Sequence, residues 1–467
     1  VQRLHTIALA LGPERCRSEL LPFIKDGINE EDDDVQAAMA GQINGAFLTL
    51  IGGQQYVDLV LPIVEALLGS EESVVRAGTV GSVRDLLESV EEKSRVCQQL
   101  LFPLFERLTG VDEWFSKKTC ASHLAPIILP HLSDSQKTAM LSIFTNSLLS
   151  DDNPIVRRAS LAACKTIFTE HSGEITNWMA WLEAVQMLID DAQDSVRLLV
   201  VDPIALIGKH LAKQEQLSVM FPLVMRLIGD NSWRVRYMAA SGYSELMLAV
   251  GLDVPDFSPL LAFSGLLTDY EAEVRIAAAG HVAAVAQLWP TPTTFTEGLL
   301  PVLQKTVVDP NPAVRAAVAL QLNELSAVAG EEATMRDLLP LFLQLFQDDS
   351  SQVRLNVISR LDVINKVIGV EHLSQALVPA IVKLAQDRQW LVRQAIIEYI
   401  PVVCEHLGSD FYDQHLLTLT VAFLDDPVYA ARVSAIGMFK RIGELFGAEH
   451  FAKSVMPRCQ PLSTHQN

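Results

Sequence analysis

Four large aromatic residues, Trp114, Trp233, Trp390 and Tyr429, stand at equivalent places in this 467-residue chain, in stretches that read WFSKK, SWRVR, QWLVR and VYAAR. Each lies three residues before a basic position, and Lys117, Lys118, Arg157, Arg158, Arg234 and Arg236 interleave with them. The chemistry open to such residues is recognition: Trp and Arg are the types most enriched among the residues that dominate protein interfaces. A second arrangement is open to the same rings, each packing as a staple against its own turn.

Residues suited to catalysis do not gather in the same way. The eleven His form no ligand-spaced cluster and no HExxH; His123 and His131 are the nearest pair, and His406 and His415 flank a turn. Gly52-Gly53 is an isolated pair rather than a phosphate-cradling loop, and no Gly-x-Ser-x-Gly elbow is present. The acidic run Glu30–Asp34 lacks the alternating spacing and glycine of a calcium loop, and reads as a solvated helix start. The six cysteines make no CxxC pair and no N-x-S/T sequon occurs, which suits a reducing, intracellular setting. We therefore expect no enzyme, no metal and no cofactor.

The elements that position the aromatics follow from a repeat. Taking Gln36, Arg76, Lys117, Arg157, Arg197, Arg236, Arg275, Arg315, Arg354, Arg393 and Arg432 as anchors, successive spacings lie between 39 and 41 residues. Nine anchors follow a Val. Six residues before the anchor lies Asp in eight consecutive units: Asp151, Asp191, Asp230, Asp269, Asp309, Asp348, Asp387 and Asp426. Fourteen before it lies Pro in seven: Pro22, Pro62, Pro103, Pro222, Pro301, Pro340 and Pro379. Each unit reads as Leu-Pro, an amphipathic stretch, an acidic turn, then Val-Arg opening a second apolar stretch. Pro suits a first-turn position, where its missing N–H costs nothing. The turn acids suit the start of the second helix, as caps and as complements to its dipole.

A pair of such helices cannot bury its apolar faces alone, so pairs must stack. The expectation is an all-α, right-handed solenoid, a horseshoe of HEAT repeats with no sheet. It would run through 1–467 as one domain, with 1–12 the end of a first repeat, 13–452 about eleven helix pairs, and 453–467 an incomplete repeat. Stacking would bring each Arg near Asp carboxylates of its own or the next turn, a structural ladder of Asp151, Arg157 and their equivalents through Asp426 and Arg432. Thirty-six Lys and Arg against 56 Asp and Glu, a formal charge of −20, exclude a general binder of nucleic acid or anionic membrane. No apolar run reaches the length of a membrane span; LLVVDPIALIG is broken by Asp202 and Pro203.

The stretches NSWRVRYMAA, QDSVRLLVVD, SQVRLNVISRLDVINKVIG and RQWLVRQAIIEYIP, with TIALALGPERCRSELLPF and DEWFSKKTCA, resemble the scaffold (A) subunits of protein phosphatase 2A from the first residue to about position 455. The resemblance implies a non-catalytic scaffold that holds a Ser/Thr phosphatase catalytic subunit together with a variable regulatory (B-type) subunit in a heterodimer or heterotrimer, without nucleic acid or membrane. It places the protein in the cytoplasm, with the nucleus as a second location. Motif by motif, it implies that Trp114, Phe115, Lys118, Asp152, Pro154, Ile155, Arg158, Trp233 and Arg234 meet the regulatory subunit. Trp390, Leu391 and Tyr429 would meet the catalytic subunit. Leu391 departs from the pattern, since the family has Arg there and a Leu makes no charge-assisted contact. The first anchor corresponds to the family's second repeat, and RCQPLSTHQN lacks helical spacing, so the last three of fifteen repeats are expected to be absent. A HEAT-type nuclear transport receptor for basic cargo is the competing expectation.

Overall fold

A computed structural model describes residues 3–28, 32–110, 112–252, 259–289, 294–359, 361–369 and 379–460. The described residues contain helices and turns and no strand, and the helices follow one another as antiparallel pairs in an all-α solenoid. Part of the acidic run, residues 30 and 31, lies outside the described residues, as do 461–467. The chain forms two compact units, one of residues 1–235 with 248–251, the other of 236–247 with 252–467.

The Val before the anchor explains itself by burial. Val75, Val156 and Val196 in the first unit, and Val274, Val314, Val353 and Val392 in the second, have no exposed surface. A β-branched side chain fills the space one residue from the Arg that must reach outward, and burying each contributes roughly 1.5–3 kcal/mol. The second helix of each pair carries it: Ser73–Glu88, Pro154–Glu170, Asp194–Gly208 and their equivalents. Asn153 and Asn311 cap two of these helices through their side-chain oxygens, with Pro154 and Pro312 at the first helical position. Helix ends are marked by a 39-residue column of glycines, Gly330, Gly369, Gly408 and Gly447, with φ between 75° and 84°. This left-handed corner is open to Gly at little cost, and it lets the next pair begin at once.

The first helices differ from the sequence expectation. Pro103 does not sit in an opening turn. Its helix starts at Lys93, widens into a π-helical segment over Cys97–Leu101, and continues as Phe102–Leu108. The same widening precedes Pro22, Pro222, Pro340 and Pro457. Proline removes one N–H and crowds the carbonyl four residues back, and an i→i+5 turn relieves both. At these positions the proline thus lies inside a longer helix rather than starting one. Pro62, inside Val57–Leu68, is accommodated without such a segment.

Candidate partner-binding ridge

The turn inside each pair is built around its Asp. One Asp151 oxygen accepts the N–H of Asn153 at 2.8 Å, and Asp191, Asp269, Asp309, Asp348, Asp387 and Asp426 do the same for the residue two ahead. This folds the turn and fixes the carboxylate. The anchor Arg then joins two turns. Arg157 donates through Nη1 to the Asp151 carbonyl at 2.6 Å and, through Nε and Nη2, grips Asp191 of the next pair at 2.6 and 3.0 Å.

In the first unit Arg197 repeats this grip on Asp230. In the second, Arg236–Asp269, Arg275–Asp309, Arg315–Asp348, Arg354–Asp387 and Arg393–Asp426 do so, with Nε to Oδ2 between 2.6 and 2.7 Å. Arg354 is the looser rung: its Nη2 bonds Asp387 at 2.8 Å, while its Nε is not aligned for a hydrogen bond. Arg432 bonds the Asp426 carbonyl of its own turn.

Side chains in these rungs are 5–16% exposed, so the forked, charge-assisted pairs are shielded from water. The hydrogen bond to the Asp carboxylate holds Arg197, Arg236, Arg275, Arg315 and Arg393 more firmly protonated than a free guanidinium. Correspondingly, the Arg393 hydrogen bond draws the Asp426 carboxyl below its usual range. At Asp348, burial pushes upward, but the bonds from Arg315 and the Ser350 N–H outweigh it and the net direction is down.

Lys118 belongs to this framework rather than to the surface. It is buried, and its ammonium bonds Asp151 at 2.9 Å, while Lys117, in the anchor register, pairs with Glu113. A lysine one residue late therefore completes the rung that Arg makes elsewhere.

What the rungs hold up is a set of projecting side chains. In the first unit Trp114 is 61% exposed, its ring tilted against Phe115 at 5.3 Å. Asp152, Ile155 and Arg158 are exposed at the next turn, and Pro154 is half-buried beside them. Trp233 is half-buried, with the Arg234 guanidinium 4.9 Å from its ring centroid; Arg234 is itself exposed and 3.4 Å from Asp194. A cavity of about 570 Å³ flanks the Arg157–Asp191 rung, bordered by Asn146, Asp152, Glu183 and exposed Met187. In the second unit Trp390 is half-buried, Leu391 exposed and Tyr429 72% exposed, with Arg432 5.7 Å from the Tyr429 ring.

Two projecting residues escaped the sequence reading. Val74 is exposed at the turn before Trp114, and it shares the slot two residues before the anchor with Phe115, Ile155 and Leu391. That apolar slot was the available signal. Tyr270, 75% exposed with the Arg236 guanidinium 4.7 Å from its ring, occupies a slot with no aromatic equivalent, so spacing gives no signal for it.

Comparison with known proteins fits this construction. Residues 260–330 match the model for the PPP2R1A-like HEAT repeat, and residues 377–407 that for the HEAT repeat. The beta isoform of the human 65 kDa regulatory A-type subunit of serine/threonine-protein phosphatase 2A is 40% identical over 341 residues, 72% of this chain and 56% of that protein. The chain is a HEAT-repeat relative of the phosphatase 2A regulatory A-type subunits. The Saccharomyces cerevisiae member, the regulatory A-type subunit of protein phosphatase PP2A, is 36% identical over 254 residues, 53% of this chain and 39% of that one. The chain thus spans about half the length of the regulatory A-type subunits it matches. Among solved structures, yeast importin-beta superposes with a TM-score of 0.66 at 15% identity, covering 97% of this chain and 61% of that one; this is a likeness of fold.

Proposed function

We propose that the chain is a non-catalytic scaffold that brings a phosphatase 2A-type catalytic subunit together with a regulatory subunit on its intra-pair turns. One observation carries the reading: rungs of buried Arg–Asp pairs hold a series of turns from which exposed apolar and aromatic side chains project. Rigid, preorganised turns lose little entropy when a partner docks, and Trp beside Arg makes a strong anchor. Two partners held on one frame act at high effective concentration, so the frame needs no chemistry of its own.

In this reading the regulatory subunit meets Trp114, Phe115, Asp152, Pro154, Ile155, Arg158, Trp233 and Arg234, with Val74 extending the surface. The catalytic subunit meets Trp390, Leu391 and Tyr429. Lys118 acts from beneath by fixing Asp151. Such a protein works in the cytoplasm and the nucleus, as a heterodimer or heterotrimer.

The test is capture on the immobilised chain, with the catalytic and regulatory subunits quantified separately. W233A/R234A should weaken regulatory-subunit capture roughly 30-fold or more, as loss of a central anchor does, and leave the catalytic subunit bound. Equal loss of both, or capture of a basic localisation peptide in place of either, would overturn the assignment.

A further inference from the structure

The cavity beside the Arg157–Asp191 rung holds charge that the rung does not use. Of the charged groups around it, Asp151 is paired with Lys118. Arg157 commits Nη1 to the carbonyls of Asp151 and Asp152 and its other two nitrogens to Asp191. Asp152 and Glu183 remain. Both are exposed, and among the described residues neither carboxylate makes a hydrogen bond or an ion pair. Asn146 donates its amide to Ser142 at 3.1 Å, which leaves its side-chain oxygen as a further acceptor. The cavity, of about 570 Å³, is therefore rich in acceptors and negative in charge, over an apolar floor of Leu149, Ala184 and Met187.

Elsewhere the repeat supplies a cation at this place. Ten residues before the anchor, four other pairs carry Arg107, Arg226, Lys305 and Lys383. Three of these reach back to the preceding pair: Arg107 to Glu65 at 2.8 Å, Arg226 to Asp190, and Lys383 to Gln347 at 3.3 Å. This pair has Met187 in that slot, and Glu183 where seven pairs have Pro. Within the chain Met187 stays 73% exposed, and Glu183 stays without a counter-ion.

We propose that the cavity receives a lysine or arginine side chain of the regulatory subunit, its stem along Met187 and Leu149 and its cationic head on Asp152 and Glu183. A long basic side chain matches both halves, because its methylenes cover apolar surface while its charge stays at the polar end. An acidic side chain would meet two carboxylates with no uncommitted cation, and an apolar one would desolvate them without compensation. The assignment rests on the docking of the regulatory subunit at the turns of the first unit, and it gives that contact a sign. Three of the cations that spacing interleaves with the aromatics, Lys117, Lys118 and Arg157, are held by Glu113, Asp151 and Asp191. What the cavity offers a partner is carboxylate.

The test is capture of the regulatory subunit on the immobilised chain at low and high salt. Glu183→Gln keeps the size of the side chain and removes its charge, and should weaken capture roughly tenfold, the value of one charge-assisted hydrogen bond. Glu183→Lys, which supplies the cation from within, should weaken it further. Both differences from the parent should narrow as salt rises, and capture of the catalytic subunit should not change. E444Q/E449Q removes charge at exposed positions of the second unit and should bind the regulatory subunit as the parent does. Circular dichroism confirms that the variants fold. Full capture by E183Q and E183K, while W233A/R234A loses the regulatory subunit, would overturn the cavity assignment and leave the ridge reading standing. Equal loss in E444Q/E449Q would make the effect one of net charge and overturn it too. A parent chain that holds no regulatory subunit would sink the ridge reading itself, and the cavity assignment with it.

Discussion

Asp426 shows how much one side chain carries in this protein. It accepts the Val428 N–H at 2.8 Å and Arg393 at 2.6 and 2.8 Å, and is largely buried. Asp426→Asn keeps the turn bond but leaves the shielded Arg393 guanidinium without its counter-charge, bonded only to the carbonyls of its own turn. Breaking one partner of a buried pair costs about 3 kcal/mol, and urea unfolding should show a loss of that order. A loss below about 0.5 kcal/mol would make the rung ornamental. Leu391 is a residue-scale question of another kind. It is exposed beside Trp390, at the position where the resemblance to the phosphatase 2A scaffolds implies an Arg. Leu391→Arg should strengthen capture of the catalytic subunit roughly tenfold, the value of one charge-assisted hydrogen bond; no change would remove this turn from the contact.

At the scale of the element, the corners between pairs depend on backbone conformation rather than on contacts. Gly408 sits at φ 77° with open space where a Cβ would point. Gly408→Ala therefore meets no clash, and its cost is the left-handed backbone alone, roughly 1–2 kcal/mol. Thermal melting should report that loss. Hydrogen exchange should show it confined to the adjoining helices, because each pair contacts mainly its neighbours.

For the whole molecule, the rungs set the response to acid. Asp348 and Asp426 have carboxyls held below their ordinary value in the folded state. A depressed folded pKa contributes stability that is fully present above the unfolded pKa, roughly 3.9. That contribution is lost as the pH falls through the folded value. Stability should therefore be insensitive to these groups near neutrality and fall below about pH 4, in D426N less steeply than in the parent. A pH series of urea midpoints measures this, and an unchanged slope in D426N would contradict the depressed carboxyl.

The period, the all-α class and the turn positions were legible in the residues alone, because stacking requires the same residue types at the same places in every pair. Val-Arg, Asp and Gly recur at fixed spacing since each meets one local demand: core filling, charge pairing, or a left-handed corner. The same register placed Trp114 and Tyr429 at turns, where both are exposed. Packing in three dimensions settled what spacing cannot encode. It put Lys118 under the ridge, because a rung needs a cation where the turn geometry places Asp151, not where the register counts. It moved Pro22, Pro103, Pro222 and Pro340 into helix interiors, since a π-helical segment absorbs the missing hydrogen bond. It brought Asp152, Glu183 and Met187 to one cavity from two adjacent pairs, a convergence that exists only after the helices have stacked.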